Sequence, residues 1–251
     1  MQKKYKILIL YYNPVFILDL YGRLKTYDNC NVYIDHITVF NSMESKKYDA
    51  IVPSDFESQE FINNNNINCF KCGENIYELL DNKRKINKIF RKRPLKNIKL
   101  IPTLEKLNKN SINKFIKKYP SNDYIIKHSK GYAGAWQEIF NKNTINNIDI
   151  DTYKDYILQP KLTNFKLYSF DAVCQNGEII DFIVINYKNF SNFEYNLLNI
   201  KSLVESEILR TGKLYDKIIS DSKKIINYTN YSGIIDIEYI VKENGMYLLE
   251  I

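Results

Sequence analysis

Residues 233–251 read GIIDIEYIVKENGMYLLEI, in which two apolar stretches flank the dipeptide Asn244-Gly245. Asn-Gly between two such stretches is a strong local signal for a β-hairpin. Each arm of the predicted hairpin carries a glutamate, Glu238 in the first and Glu250 in the second. Two carboxylates on one sheet surface repel each other unless a cation lies between them. Oxygen ligands of this kind suit Mg²⁺ when phosphate completes its shell, so the hairpin is a candidate magnesium site.

The length of the turn decides whether the two glutamates share a face of the hairpin. A two-residue loop, Asn244-Gly245, would place Tyr239 opposite Glu250 and Glu238 on the other side. A three-residue loop, Glu243 to Gly245 with Gly245 in the left-handed conformation, would place Glu238 opposite Glu250. The magnesium hypothesis requires the three-residue loop. The alternative is that both glutamates are solvent-facing residues of an amphipathic hairpin.

Two motifs upstream could contact a phosphate and a flat heterocycle, although many turns and strand ends have the same composition. Lys127 ends a predicted strand and directly precedes a turn that contains Gly131 and Gly134. Glycines let backbone N–H groups approach phosphate oxygens, and a lysine adds a point charge. Further along, the predicted strand of residues 156–159 is broken at Pro160, which leaves backbone groups free to pair with a flat heterocycle.

The pattern of the chain predicts an α/β protein. Strands at 5–11, 32–40 and 48–52, with helices at 14–27 and 55–62, are typical of a small parallel α/β layer. The remaining predictions are a helix from about 75 to Pro94, an extended link at 98–103, a second helix at 104–118, a strand pair at 168–174 and 179–187, and a helix at 213–226.

Charge and cysteine content give little support for nucleic-acid binding or for a zinc site. The 251 residues carry 36 Lys plus Arg and 29 Asp plus Glu. Nine of the basic residues lie in 83–99, which has no acidic residue. Such a run could bind nucleic acid or another polyanion, but no nucleic-acid motif accompanies it, and we favour a solvated helix face followed by a basic loop. The pair Cys69 and Cys72 has no second pair at a spacing suited to zinc, so we interpret the thiols as structural or incidental.

The sequence contains no stretch that approaches the roughly 18 apolar residues of a membrane helix. The first apolar run, Ile7 to Tyr12, is too short for a signal peptide core, and no small-residue cleavage site follows it. We therefore expect a soluble, cytoplasmic protein.

Taken in order, the motifs resemble the ATP-grasp superfamily. YIIKHSKGYAGAW (124–136) resembles its lid strand, nucleotide lysine and phosphate loop, and YILQPKLTNFKLYSFDAVCQNGEIIDF (156–182) resembles its hinge and core strands. LLDNKRKINKIF (79–90), followed by IPT, resembles the helix and link that precede the lid, and GIIDIEYIVKENGMYLLEI resembles the metal-binding hairpin. The resemblance implies an N-terminal α/β domain with linker helix at 1–105, a lid subdomain at 106–158, and a core with a C-terminal antiparallel sheet at 159–251.

The resemblance also implies site residues, position by position. Lys83 and Lys127 would hold the phosphates of ATP, with Gly131 and Gly134 in the phosphate loop. Gln159 would meet the adenine amino group, and the backbone of Pro160, Lys161 and Leu162 would lie beside the ring. Glu238 and Glu250 would bind Mg²⁺, and Lys188 would lie near the transferred phosphate.

The activity implied is that of a ligase for small-molecule carboxylate and amine substrates. Members of the family phosphorylate a carboxylate with ATP and then let an amine or similar nucleophile displace the phosphate. Many of them pair, so a homodimer is compatible with the resemblance.

The sequence departs from the family pattern in two places. Lys166-Leu167 stands where many members have an acidic residue for the ribose hydroxyls. The pattern also continues after the second glutamate with Asn and often Pro-Arg, whereas this sequence stops at Ile251. Two alternatives follow: a fragment of a longer protein, or a shortened member that binds nucleotide without turnover.

Overall fold

The computed structural model describes residues 4–12, 14, 30–54, 56–67, 74–130, 137–188 and 206–251. The chain divides into two compact units, Met1–Glu74 and Asn75–Ile251. No helix within the described ranges is long and apolar enough to cross a membrane.

The first unit is built on a parallel sheet, as the sequence predicts. Its elements are β1 (Tyr5–Tyr11), β2 (Cys30–His36), β3 (Ala50–Pro53) and α1 (Phe56–Asn64). The strand order is β2-β1-β3, and β1 pairs parallel with both neighbours. Leu8, Leu10, Ile51 and Ile62 are buried together in its core. The helix predicted at 14–27 and the Cys69/Cys72 pair lie outside the described residues, apart from Pro14.

The second unit combines two sheets and four helices within the described residues. In chain order its elements are α2 (Glu74–Asp81), α3 (Lys83–Lys92), β4 (Ile98–Leu100), α4 (Lys109–Lys118), β5 (Asp123–His128), β6 (Gln137–Asn141), β7 (Tyr156–Pro160), β8 (Lys166–Gln175), β9 (Glu178–Tyr187), β10 (Ser206–Leu209), α5 (Lys213–Thr229), β11 (Gly233–Lys242) and β12 (Gly245–Glu250). The larger sheet has the order β10-β9-β8-β11-β12-β4, and the smaller has the order β6-β5-β7. All pairings are antiparallel except β12 with β4.

The prediction of a single helix from about residue 75 to Pro94 is wrong, because the helix is interrupted at Asn82 and two helices occupy this segment. The Asn82 side chain accepts hydrogen bonds from the backbone N–H groups of Arg84 and Lys85 and so caps a new helix, α3. Asparagine is one of the best residues at this position. The cap places Lys83 in the first turn of α3.

The helix predicted at 104–118 begins five residues later, at Lys109. Asn108 and Ser111 form a capping box that starts α4. Leu104 instead pairs with Leu158, with backbone hydrogen bonds of 2.9 and 3.0 Å in the two directions. We call α4 with the sheet β6-β5-β7 the lid, and the extended segment at Leu104 that precedes it pairs with β7.

Alternation along β11 gives the large sheet two chemically different faces. Ile235, Ile237 and Tyr239 are buried, and the Tyr239 hydroxyl lies 2.5 Å from the Ser222 hydroxyl of α5. Because successive side chains of a strand point to opposite faces, Asp236 and Glu238 lie on the face opposite α5. The helix therefore covers one face, and the acidic residues occupy the other.

A buried carboxylate ties the segment before β4 to this helix. The Asp221 side chain is fully buried and accepts a 2.7 Å hydrogen bond from the Asn97 backbone N–H. We expect Asp221→Ala to lower the free energy of unfolding by about 2 kcal/mol, because the N–H is left without an acceptor in a dry environment. Urea denaturation measures the change. Asp221→Asn keeps an acceptor and should cost less, and the exposed Lys223→Ala on the same helix is the control. Equal midpoints for Asp221→Ala and wild type would contradict this role.

Candidate functional site

The two hairpin glutamates face each other across neighbouring strands. Glu238 of β11 pairs with Glu250 of β12, which confirms the pairing that the magnesium hypothesis requires. The loop predicted to produce it is wrong: Lys242 pairs with Gly245, so Glu243 and Asn244 form a two-residue loop.

A β-bulge restores the pairing that the shorter loop alone would lose. Tyr239 pairs with Leu248, yet the next residue back, Glu238, pairs with Glu250, and Leu249 is skipped in this ladder. One extra residue in a strand changes the register by one and so changes which side chains share a face. The register shift at Leu249 therefore brings the two carboxylates together.

The surroundings of Glu238 disfavour its charge. Desolvation, followed by repulsion from Glu250, raises the pKa of Glu238 to about 7, against the opposing effect of Lys127 and Lys83. A cation placed between the two glutamates would reverse this shift, because an opposite charge stabilises a carboxylate.

Two lysines reach the same place from different elements. The Lys83 ammonium of α3 donates a 2.6 Å hydrogen bond to Glu250 Oε1. Lys127 of β5 makes no ion pair within the described part of the chain. Desolvation, followed by repulsion from Lys83, lowers the pKa of Lys127 to about 8, although Glu250 and Glu238 act in the opposite direction. Lys127 is therefore a half-buried cation without a salt-bridge partner among these residues, suited to an anionic ligand.

Gln159 lies beside this charge cluster. Its side chain is 7% exposed, and its amide nitrogen donates a 2.8 Å hydrogen bond to the Thr103 hydroxyl. Gln159, Lys83, Ile101 and Glu250 line a common cavity, together with Leu80, Asp81, Ile86, Asn87, Leu100, Leu248, Leu249 and Ile251. The free volume of about 20 Å³ holds roughly one water molecule. This enclosed space is smaller than a nucleotide, and the cavity is partly open to solvent.

The segment after Gln159 is less open than the sequence predicts. β7 ends at Pro160, one residue beyond the predicted strand, and Pro160 still pairs with Tyr124. The Lys161 N–H donates a 2.9 Å hydrogen bond to the Asp123 carbonyl and is not available to a ligand. Leu162 packs against the core cluster that contains Ile240.

Of the other predicted site residues, one is placed and two are not. Lys188 follows the end of β9, and its ammonium lies 2.9 Å from Glu207 of β10. Gly131 and Gly134 lie outside the described residues.

A second acidic pair, which the sequence analysis did not single out, lies next to the glutamates. Asp171 of β8 pairs directly with Asp236 of β11, and Ser169 pairs with Glu238. The Ser169 hydroxyl lies 2.8 Å from Asp236 Oδ1 and also contacts Asp171 Oδ1. Desolvation, followed by repulsion from Asp171 and Glu238, raises the pKa of Asp236. The alternation of acidic residues at 236 and 238 could have indicated this pair, but the partner at 171 depends on the β8–β11 register.

The ligand count fits a metal that is shared with phosphate. Among the described residues, no group of three or more His, Cys, Asp and Glu side chains is arranged to hold a metal ion. The paired residues Glu238 and Glu250 offer two carboxylates that could hold a metal ion. Mg²⁺ is commonly held by one or two carboxylates, with phosphates and waters completing the octahedron, so the donor set fits Mg²⁺ that arrives with a nucleotide.

The pKa of Glu238 predicts a pH-dependent stability. A carboxyl with a raised pKa binds its proton more tightly in the folded state, so its contribution to stability falls as pH rises from about 4.5 to about 7. We expect Glu238→Gln to remove this fall and to raise the free energy of unfolding at pH 8 by about 1 kcal/mol, less than the full pKa displacement implies because the carboxyl keeps some contact with water.

Urea titrations between pH 5 and 8 measure this effect. Glu178→Gln, at an exposed glutamate on β9, is the matched control and should leave the pH profile unchanged. An identical profile for Glu238→Gln and wild type would show that Glu238 titrates normally.

Solved structures share the fold of the whole chain, although no protein-family model and no curated protein sequence matches it. D-alanyl-alanine synthetase A from Vibrio cholerae superposes with a TM-score of 0.70 at 14% identity, over 100% of this chain and 88% of that one. N5-carboxyaminoimidazole synthetase from Staphylococcus aureus in complex with ADP gives 0.68 at 15% identity, over 100% and 70%. D-cycloserine synthetase gives 0.67 at 11% identity, over 97% and 90%. These proteins are ATP-grasp ligases, and the chain described here has the ATP-grasp fold.

Proposed function

We propose that the protein is an ATP- and Mg²⁺-dependent ligase that activates a small-molecule carboxylate for attack by an amine or similar nucleophile. The observation that carries the proposal is the meeting of two lysines, from α3 and from the lid, with the paired carboxylates of β11 and β12. Cations suited to phosphate lie beside ligands suited to Mg²⁺. Several proteins that share the fold are named as ligases or synthetases, and three of the structures are complexes with ATP or ADP.

In this proposal the residues of the site contact different parts of the nucleotide or its metal ion. Lys83 and Lys127 hold phosphate oxygens, Glu238 and Glu250 hold Mg²⁺, and Gln159 lies at the purine. When bound, Mg²⁺ neutralises charge on the phosphates during transfer. The substrate carboxylate attacks the terminal phosphorus to give an acyl phosphate and ADP, and the amine then attacks the acyl carbon and expels phosphate. The protein contributes mainly position and charge.

Lys83 balances the charge of Glu250 in this structure. Lys83 neutralises Glu250 through the 2.6 Å contact, and both side chains are mostly buried, at 11% and 23% exposure. In the proposed complex Glu250 would hold Mg²⁺, which would supply positive charge there, and the Lys83 ammonium would be released to contact the phosphates. The exchange would keep both Lys83 and Glu250 paired, which avoids the cost of an isolated ion.

The alternative of a nucleotide-binding module without turnover uses the same residues. Release of ADP or phosphate separates the two, with purified protein, ATP, Mg²⁺ and a panel of carboxylate and amine compounds. Release that depends on both a carboxylate and an amine supports the ligase. Nucleotide binding without release, across the whole panel, supports the module.

A polyanion-binding role for residues 83–99 is less well supported, because most of the basic side chains in this segment have partners within the chain. Arg91 pairs with Glu105, Lys85 pairs with Glu78, and Arg93 lies over the Tyr228 ring. Lys83 pairs with Glu250, Arg84 contacts the carbonyls of residues 154 and 156, and Lys99 donates to the Asn244 carbonyl. A salt-dependent gel shift with DNA or RNA, lost on neutralising this segment, would be required to favour it.

Nucleotide affinity tests the lysine and glutamate roles directly. We expect Lys127→Met to raise the Kd for ATP with Mg²⁺ by about 10- to 100-fold, because a charge-assisted hydrogen bond contributes roughly 1.5–3 kcal/mol. Glu250→Gln should instead weaken the dependence of ATP binding on Mg²⁺. Calorimetry measures both effects.

Matched controls are available on the same elements. Lys88→Met on the exposed side of α3 and Glu178→Gln on β9 should bind ATP as wild type does. If wild type binds no ATP at millimolar concentration, or if Lys127→Met binds as tightly as Lys88→Met, the proposed site is wrong.

A further inference from the structure

We propose that Arg84 is a positioning residue that fastens the lid to α3 and thereby sets the distance between Lys83 and Lys127. The inference rests on the proposed function, since the two lysines matter as a pair only for a ligand that bridges them. It concerns a residue of α3 that is next to Lys83 but points to a different group.

The Arg84 side chain donates hydrogen bonds to two backbone carbonyls at the start of β7. One of its terminal nitrogens, Nη2, donates to the Lys154 carbonyl at 2.9 Å and to the Tyr156 carbonyl at 3.0 Å. The other, Nη1, lies 3.8 Å from Asp155 Oδ1, but the Asp155 side chain is 68% exposed. An exposed ion pair contributes little, so the carbonyl contacts carry the attachment.

Backbone hydrogen bonds connect the same segment to both lysines. The Lys83 N–H donates to the Ser129 carbonyl at 2.8 Å, and the Ser129 N–H donates to the Asp155 carbonyl at 2.9 Å. Ser129 lies two residues after Lys127, and Lys127 pairs with Ile157 in β7. Arg84 thus reinforces a short path that joins the first turn of α3 to the strand that carries Lys127.

The geometry favours arginine over other cations at this position. A guanidinium group presents several N–H donors in a rigid plane, so one side chain can hold two carbonyls in a fixed direction. Lysine carries one flexible ammonium and cannot reproduce that orientation. The Arg84 Nε is buried without a hydrogen-bond partner in the described structure. Leaving this donor unsatisfied costs free energy. The orientation of the Arg84 side chain therefore favours the two carbonyl contacts at the expense of its own Nε.

The consequence is specific to ligands with several phosphates. A triphosphate that contacts Lys83 on α3 and Lys127 on the lid depends on their separation, whereas adenosine in the proposed purine site depends on Gln159. We expect Arg84→Ala to raise the Kd for ATP with Mg²⁺ about tenfold and to leave the Kd for adenosine within twofold. In turnover, KM for ATP should rise while KM for the carboxylate stays within twofold, and Arg84→Lys should recover part of the loss.

Two controls separate the carbonyl contacts from charge alone. Asp155→Asn removes the exposed ion pair and keeps both carbonyls, and Lys88→Ala removes a charge from the exposed side of the same helix. Both should bind ATP within twofold of wild type. A loss in Lys88→Ala equal to that in Arg84→Ala would assign the effect to the charge of α3 and overturn the positioning role.

Hydrogen exchange tests the attachment without nucleotide. In Arg84→Ala the amides of Lys83 and Ser129 should exchange at least tenfold faster than in wild type, while the amides in the middle of β8 and β11 keep their rates. Circular dichroism establishes that the variant is folded, and Arg84→Lys provides the same measurement if Arg84→Ala is not. Unchanged exchange at both amides overturns the inference, whether or not ATP binds. Faster exchange in a protein whose wild type binds no ATP supports the attachment and refutes the proposed function alone.

Discussion

Four charged side chains lie close together where α3, the lid and the β11–β12 hairpin meet, and the surrounding elements of the second unit must hold them there. Two ammonium groups and two carboxylates meet there, and Lys83 and Glu250 form an ion pair at 2.6 Å. The shifted pKa values of Lys127 and Glu238 indicate that these two charges are not fully compensated by their neighbours. Such a site is costly for stability and is expected where a ligand supplies the missing charge. The surrounding elements hold the four side chains in place despite this cost.

Local interactions, namely a helix cap, strand pairing and a contact between two hydroxyl groups, position these side chains. The Asn82 cap restarts the helix so that Lys83 lies in its first turn. Antiparallel pairing in the lid fixes Lys127 opposite Ile157. On the large sheet, contact between Tyr239 and Ser222 of α5 holds one face of β11, which leaves Glu238 on the other face. The site is thus assembled from short-range hydrogen bonds and strand alternation rather than from one long loop.

Much of this could be predicted from the sequence, and the errors have physical causes. Apolar runs and turn residues predicted the parallel layer and the antiparallel sheet. They left two registers open for Glu238 and Glu250, and the observed pairing depends on a bulge that the turn residues do not indicate. The helix boundaries at Asn82 and Asn108 were missed because hydrophobic periodicity continues through both, whereas the caps depend on side-chain contacts with the backbone. The acidic pair Asp171 and Asp236 was missed because it depends on the register of strands that are distant in sequence. β7 ends at Pro160, as the sequence predicts, although Pro160 itself still pairs at the edge of the lid sheet, where a strand tolerates proline.

The skipped residue Leu249 has a consequence for recognising related proteins. With the short Glu243-Asn244 loop, an unbulged hairpin would have to carry its second acid one position earlier to keep the same partner. Evolution can therefore add or delete a single residue in β12 without separating the two acids, provided that the ladder bulges or straightens in compensation. Distant homologues need not share a constant interval between the two acids, and a search pattern with a fixed gap would overlook members whose acids are equivalent in space.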